Sequence, residues 1–265
     1  MTDTVEETAP NGAPPSGGAT AWQEFVEIVK TVVYALGIAL VLRVLLFQPF
    51  TIPSASMVPT VKEGDYIIVS KFSYGYSRHS IPFSPPLFSG RIFGGEPKRG
   101  DIIVFKLPRD GRTDYIKRLI GLPGDRVQMR NNQLYINDKP VPKAFQGKVS
   151  EHTEYGFDRN VDRYIETNPE GRKYTIDDWG PDGDMDNTPT FVVPEGNYFF
   201  IGDNRDNSLD SRAPEEIGVG FVPAENLVGK AQIILFSWNH EKASLFKPWT
   251  WVLDARPSRF FKLLK

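Results

Sequence analysis

The chain contains no cysteine and only three histidines, and its 31 lysines and arginines are offset by 33 aspartates and glutamates. The missing thiols remove disulfides, thiolate nucleophiles and cysteine zinc ligands together. His79, His152 and His240 lie far apart, none in an H-E-x-x-H or nucleophile-elbow setting, so neither a zinc site nor a Ser-His-Asp triad finds support. A net charge of -2 without a dense basic run leaves no electrostatic footprint for nucleic acid, which is not an expected partner. Catalysis has to be built from other residues, and no metal or cofactor is expected.

What is present is a globular complement of apolar residues, 40% of 265, enough to bury a core. Residues 1–21, with several Pro and Gly and without apolar periodicity, read as a disordered tail. An apolar stretch follows from Ile28 to Phe47, uncharged from Thr31 to Leu42. As a helix it would rise about 30 Å, the thickness of a hydrocarbon core, with Lys30 and Arg43 near its ends. A short uncharged run also suits a buried helix or a signal-peptide core. Three features favour a span: the tail is a poor n-region, the stretch is apolar on all faces, and Gln48-Pro49 stops the helix just beyond it. Residues 22–48 are therefore read as a single transmembrane anchor. Lys and Arg are more frequent after the span than before it, which the positive-inside rule reads as a cytoplasmic C-terminal domain.

Residues 49–265 change to short β-branched and aromatic runs punctuated by Gly, Pro, Asn and Asp, a mostly β texture. Strands are predicted at Tyr66 to Ser70, Asp101 to Leu107, Tyr115 to Ile120, Asn197 to Ile201 and Leu227 to Trp238, with a hairpin of Arg126 to Arg130 and Gln133 to Asn137 around Asn131-Asn132. Two segments interrupt the pattern. Ser77 to Pro97 is either a hydrophobic surface loop or a core excursion. The polar insertion at about 146–190 contains Asp182, Asp184 and Asp186, which mimic the opening of a calcium loop. Asn187 and Val193 replace the Gly and Glu that such a loop needs, so a solvated turn is expected. Near the C-terminus Trp249, Trp251, Phe260 and Phe261 alternate with Lys247, Arg256, Arg259, Lys262 and Lys265, a mixture suited to a membrane interface or to an ordinary terminal element.

Three runs carry chemistry. Pro53-Ser54-Ala55-Ser56-Met57-Val58-Pro59-Thr60 offers two hydroxyls two residues apart, on one side of an extended segment, although Ser/Pro linkers after a span look alike. In Asp114-Tyr115-Ile116-Lys117-Arg118-Leu119-Ile120 two cations interrupt an apolar strand and point to opposite faces, so one of them can face inward. A lysine taken out of water loses its proton far below ~10.4 and becomes a base for a serine; the competing reading is a pair of edge charges. Gly202-Asp203-Asn204-Arg205-Asp206-Asn207-Ser208-Leu209-Asp210-Ser211-Arg212 is dense enough in Asp, Asn and Arg for a fixed ion-pair network, or else is a capped turn.

Together PSASMVPT, RGDIIVF, DYIKRLIGLPGD and GDNRDNSLDSR resemble the type I signal peptidases, in that family's order, from about Gln48 to Leu235 with residues 146–190 as a gap. The resemblance implies an antiparallel-sheet, LexA-like catalytic domain on one membrane helix, facing the outer side of the bacterial cytoplasmic membrane. It also implies cleavage of signal-peptide-bearing precursors after small residues. By it Ser56 is the nucleophile and Lys117 the general base. Ser54 shares the oxyanion hole with the Ser56 N–H, Ser208 orients Lys117, and Asp210 with Arg212 supports them. Ala55 stands where many members have glycine. The rival readings are another Ser-Lys processing peptidase and a non-catalytic membrane-anchored β module that binds exported chains.

Overall fold

A computed structural model describes residues 17–152, 158–181, 183–239 and 254–264. Most of the predicted tail therefore lies outside the described residues, as do Trp249, Trp251, Lys247 and Asp182.

Helix α1 (Gly17–Leu45) begins inside the segment read as tail and ends before Phe47, which already belongs to a strand. Its stretch Ala21–Leu45 has a mean hydropathy of 2.1 and is long and apolar enough to cross a membrane once. Leu36, Ile38 and Val33, on different sides of the helix, are each exposed, so the helix is apolar all round rather than on one face.

Arg43–Lys265 forms a separate compact unit. Its strands are β1 (Phe47–Thr51), β2 (Asp65–Ser70), β3 (Ile102–Lys106), β4 (Asp114–Gly121), β5 (Arg126–Arg130), β6 (Gln133–Ile136), β7 (Lys139–Pro140) and β8 (Lys143–His152). They continue with β9 (Asp158–Thr167), β10 (Lys173–Asp178), β11 (Phe191–Val192), β12 (Asn197–Ile201), β13 (Val222–Pro223), β14 (Leu227–Ser237) and β15 (Lys262–Leu263). An antiparallel sheet in the order β1-β2-β14-β3-β4-β12-β13 curls into a half-barrel, because the long β14 pairs with β3 through its first half and with β15 through its second. The predicted hairpin is β5–β6, and Asn131 and Asn132 take the positive φ angles of 48° and 59° that its two-residue turn requires.

The central strands are buried on both faces. Ile102 and Val104 of β3 face a cluster with Met57, Val61, Ile67 and Ile234, while Ile103 and Phe105 face another with Leu119, Phe200 and Leu227. Such strands lose the alternation of a half-solvated sheet and read as continuous apolar runs. The Ser77–Pro97 segment is split between the two readings: Ser77, His79 and Ser80 are buried at its base, whereas Phe83, Leu87 and Phe93 are exposed. At the C-terminal end Phe260 and Phe261 pack edge-on against Phe236, and Lys262–Leu263 forms a terminal strand.

Residues 146–190 depart most from the sequence reading, for they continue the β texture. β8, β9 and β10 form a three-stranded antiparallel arm whose polar residues on both faces hide the usual alternation. Asp186 is buried rather than solvated and accepts the Gly183 N–H at 2.7 Å, closing a tight turn. The arm is joined to the loop after β12 through Glu166, whose two oxygens each accept from Arg205 at 2.5 Å, with both side chains buried. Removing one partner of such a pair leaves an uncompensated buried charge. Glu166→Ala is therefore expected to cost about 3–5 kcal/mol of stability, measured as a lowered urea midpoint of the detergent-solubilised protein.

Candidate active site

β1 ends at Thr51, and the chain then turns tightly from Ala55 to Thr60, with Val58 N–H bonding to Ala55 O at 3.0 Å and Val61 N–H to Met57 O at 2.9 Å. Met57 and Val61 are fully buried in the core, so the residue just before Met57 is pinned at the domain's rim. That residue is Ser56, itself only 8% exposed.

β4 supplies the second group. Lys117 pairs in register with Ile103, and alternation puts it on the same face as Tyr115 and Leu119. It is 3% exposed, and its Nζ lies 2.5 Å from Ser56 Oγ and 3.1 Å from the Ile116 carbonyl oxygen. Burial is the largest influence on this amine and lowers its pKa to about 8; the charges of Asp210 and Asp203 raise it in part, and Arg212 lowers it again. A neutral amine within hydrogen-bonding reach of a hydroxyl can take its proton.

β12 brings the third segment. Ile201 pairs with Arg118, so the loop that starts at Gly202 emerges directly beside Lys117. Gly202 passes so close behind the Ser56 turn that a Cβ there would lie 2.5 Å from the Ser56 carbonyl oxygen and 2.2 Å from Ser208 Oγ. Ser208 shares the cleft with Lys117, and its buried hydroxyl has no hydrogen-bond partner among the described residues. Asp210 receives two bonds of 2.9 Å from Arg212 and a third from the Gly202 N–H. Burial alone would raise its carboxyl, but Arg212 and these bonds hold it below the usual carboxylate range. Ser54 Oγ lies 3.4 Å from Ser56 Oγ, on the same side of the segment. An open cleft of about 480 Å³ runs past Ser54, Ser56, Lys117 and Ser208.

Sequence reasoning allowed one of Lys117 and Arg118 to face inward; both are buried. Arg118 meets both oxygens of Asp203 at 2.7 and 2.6 Å, donates to the Gly100 carbonyl, and stacks over Tyr174 at 4.3 Å. Asp203 in turn accepts from Thr60 Oγ1 at 2.5 Å, tying the far end of the nucleophile turn to β4. Asn204, unassigned in the sequence, donates its backbone N–H to Ser56 O at 3.1 Å and its amide to Ala55 O at 3.2 Å. The signal for both lay inside the motif strings, as a second cation beside Lys117 and an Asp-Asn pair at the end of an apolar strand. Among the described residues no group of three or more His, Asp or Glu side chains is placed to hold a metal ion.

A hydroxyl within reach of a desolvated amine on the rim of a curled antiparallel sheet is an arrangement that a hydrolase of the serine class can use. The family model described as "Signal peptidase, peptidase S26" matches residues 25–238. Signal peptidase I of Rickettsia typhi is 43% identical over 268 residues, covering 92% of this chain and 94% of its own. That of Rickettsia canadensis is 44% identical over 253 residues, covering 89% and 92%. A solved signal peptidase I from Enterococcus faecalis is 32% identical, covers 51% of this chain and 96% of its own, and has a TM-score of 0.30. This chain belongs to the signal peptidase family, peptidase S26. It is a serine endopeptidase that removes signal peptides.

The close passage at Gly202 makes a direct prediction. Gly202→Ala has to displace either the Ser56 backbone or Ser208, and displacements near 1 Å cost about 100-fold in rate. A loss of kcat/KM of about that size is expected on a fluorogenic peptide spanning a signal-peptide junction, with the melting temperature monitored in parallel.

Proposed function

We propose that Ser56 is the nucleophile and Lys117 the general base with which this signal peptidase cuts exported precursors. The observation that carries the reading is the 2.5 Å contact between Ser56 Oγ and a fully enclosed amine whose pKa has fallen to about 8. Neutral Lys117 takes the Ser56 proton as Oγ attacks the scissile carbonyl. The resulting ammonium then returns that proton to the leaving amine as the peptide C–N bond breaks. Water, deprotonated by the same amine, hydrolyses the Ser56 ester and regenerates both groups. The Ser56 N–H and the Ser54 hydroxyl receive the charge that develops on the carbonyl oxygen. The unpartnered Ser208 hydroxyl is available to orient the amine, and the Asp210–Arg212 pair holds the loop that carries it. No metal or cofactor takes part in this scheme.

Precursors present their junctions at the outer surface of the cytoplasmic membrane, and the reading puts the catalytic domain there, anchored by residues 22–48, against the weak charge asymmetry around the helix. Specificity for small residues before the cut is part of the same proposal and is supported by the family membership.

Ser56→Ala and Lys117→Met are expected to abolish cleavage of a purified precursor in detergent, while Ser54→Ala lowers kcat about 100-fold, corresponding to about 3 kcal/mol for one oxyanion donor. Cleavage at the parent rate by Lys117→Met would sink the dyad.

The pH profile gives an independent check. Only neutral Lys117 serves as base, so kcat/KM should climb about tenfold per pH unit below pH 7 and level off as pH passes the amine's value of about 8. A flat profile between pH 5 and 8 would exclude Lys117 as the titrating base.

A further inference from the structure

The peptide unit between Ala55 and Ser56 is planar, and its C=O and N–H point in opposite directions. Whatever fixes the Ala55 carbonyl therefore also aims the Ser56 N–H. In this structure two donors fix it, the Val58 N–H at 3.0 Å from within the turn and Asn204 Nδ2 at 3.2 Å from across the domain. The backbone N–H of the same residue holds the next carbonyl, Ser56 O, at 3.1 Å. A single asparagine thus anchors both sides of the nucleophile.

An asparagine NH2 has two hydrogens, and rotation of its side chain would swing both. The second hydrogen of Asn204 goes to Glu151 Oε1 at 2.5 Å. Glu151 is the penultimate residue of β8, 9% exposed, and Trp179 Nε1 approaches its other oxygen at 3.4 Å. The Asn204 nitrogen stands between two acceptors, Ala55 O and Glu151 Oε1, and its Oδ1 has no partner among the described residues, so these two bonds alone orient the amide. The arm also grips the Asn204 backbone from both sides. Asp177, at the end of β10, receives the Arg205 N–H at 2.8 Å and donates to Asp203 O at 2.9 Å. Neither Glu151 nor Trp179 lines the cleft, and the contact that links Glu151 to the nucleophile turn is the Asn204 amide.

We propose that Glu151 is a positioning residue for peptide-bond hydrolysis: by orienting the Asn204 amide, it aims the Ser56 N–H at the oxygen of the tetrahedral intermediate. The proposal rests on the reading of Ser56 as nucleophile and of its N–H as an oxyanion donor. It gives the polar arm of residues 143–178 a part in catalysis that its distance from the cleft conceals. A misdirected oxyanion donor weakens transition-state binding while leaving ground-state binding nearly intact.

The test compares Glu151→Gln, which keeps a carbonyl acceptor for Asn204, with Glu151→Met, which is similar in volume and cannot accept. The full-length protein in detergent is assayed on a fluorogenic junction peptide. Glu151→Met should lower kcat about 10- to 100-fold with KM within about threefold, and Glu151→Gln should restore kcat to within about threefold of the parent. A peptide aldehyde ending at the junction, whose hemiacetal oxygen occupies the same position, should lose affinity in step with kcat. Were Glu151→Met not to fold, Trp179→Phe, which leaves Glu151 in place but loosens it, should lower kcat about two- to fivefold at unchanged KM. Parent kcat in Glu151→Met, or in Trp179→Phe if the former is unfolded, overturns the proposal, as does a loss borne by KM alone. A Ser56→Ala control separates the two levels. If it retains activity, the nucleophile assignment itself falls; if it is inactive while Glu151→Met is fully active, only the brace falls.

Discussion

An ammonium withdrawn from water forfeits several kcal/mol of hydration, and a protein that encloses one must pair it, hydrogen-bond it or let it lose its proton. Lys117 is enclosed with a serine hydroxyl and a backbone carbonyl as its nearest partners, while the nearby carboxylates of Asp210 and Asp203 are each engaged by an arginine. Arg212 and Arg118 thus do more than hold loops together. Each engages a carboxylate that lies near Lys117, and the charge of Arg212 lowers the amine's pKa against the remaining upward pull of Asp210 and Asp203. Had either carboxylate been free to pair with Lys117, the amine would be a salt bridge rather than a base.

The same logic explains the density of buried ions around the loop after β12. Arg118, Arg205 and Arg212 each have a carboxylate partner with bidentate geometry, which is the arrangement that offsets desolvation best. Rigid positioning is what such pairs contribute here, since an apolar substitute of equal volume would often be as stable. One of them, Arg205–Glu166, reaches into the arm, so the arm belongs to the scaffold that places the nucleophile.

Legibility in the sequence followed burial. Strands with one clear pattern, such as Asn197–Ile201 and the Asn131-Asn132 hairpin, could be read from apolar residues and turn chemistry. Residues 143–178 could not, because β9 carries polar residues on both faces and pairs only with its sequence neighbours β8 and β10, leaving no apolar alternation to mark it. Ser56 on its own was indistinguishable from a linker; the strand bearing Lys117 gave it meaning, and the resemblance to a family supplied the remaining roles. Asn204 was visible only as one more turn-forming residue. The first of its carbonyl partners, Ala55, lies 149 positions earlier in the chain, a relation that no local window contains. Arg118 escaped for a different reason, since two adjacent buried cations run against the ordinary expectation for a strand.

The sequence distances of these contacts carry a consequence for how the enzyme comes into being. Ser56 leaves the ribosome long before its partners: Lys117 follows 61 residues later, Asn204 comes 149 residues after Ala55, and Arg259, which locks the buried Asp65 just beyond the nucleophile turn, lies 194 residues from it. Contacts of such span form late, after loop closure has been completed across most of the chain. A nascent domain therefore carries Ser56 through most of its synthesis before the contacts from Asn204 and Arg259 that complete its surroundings can form.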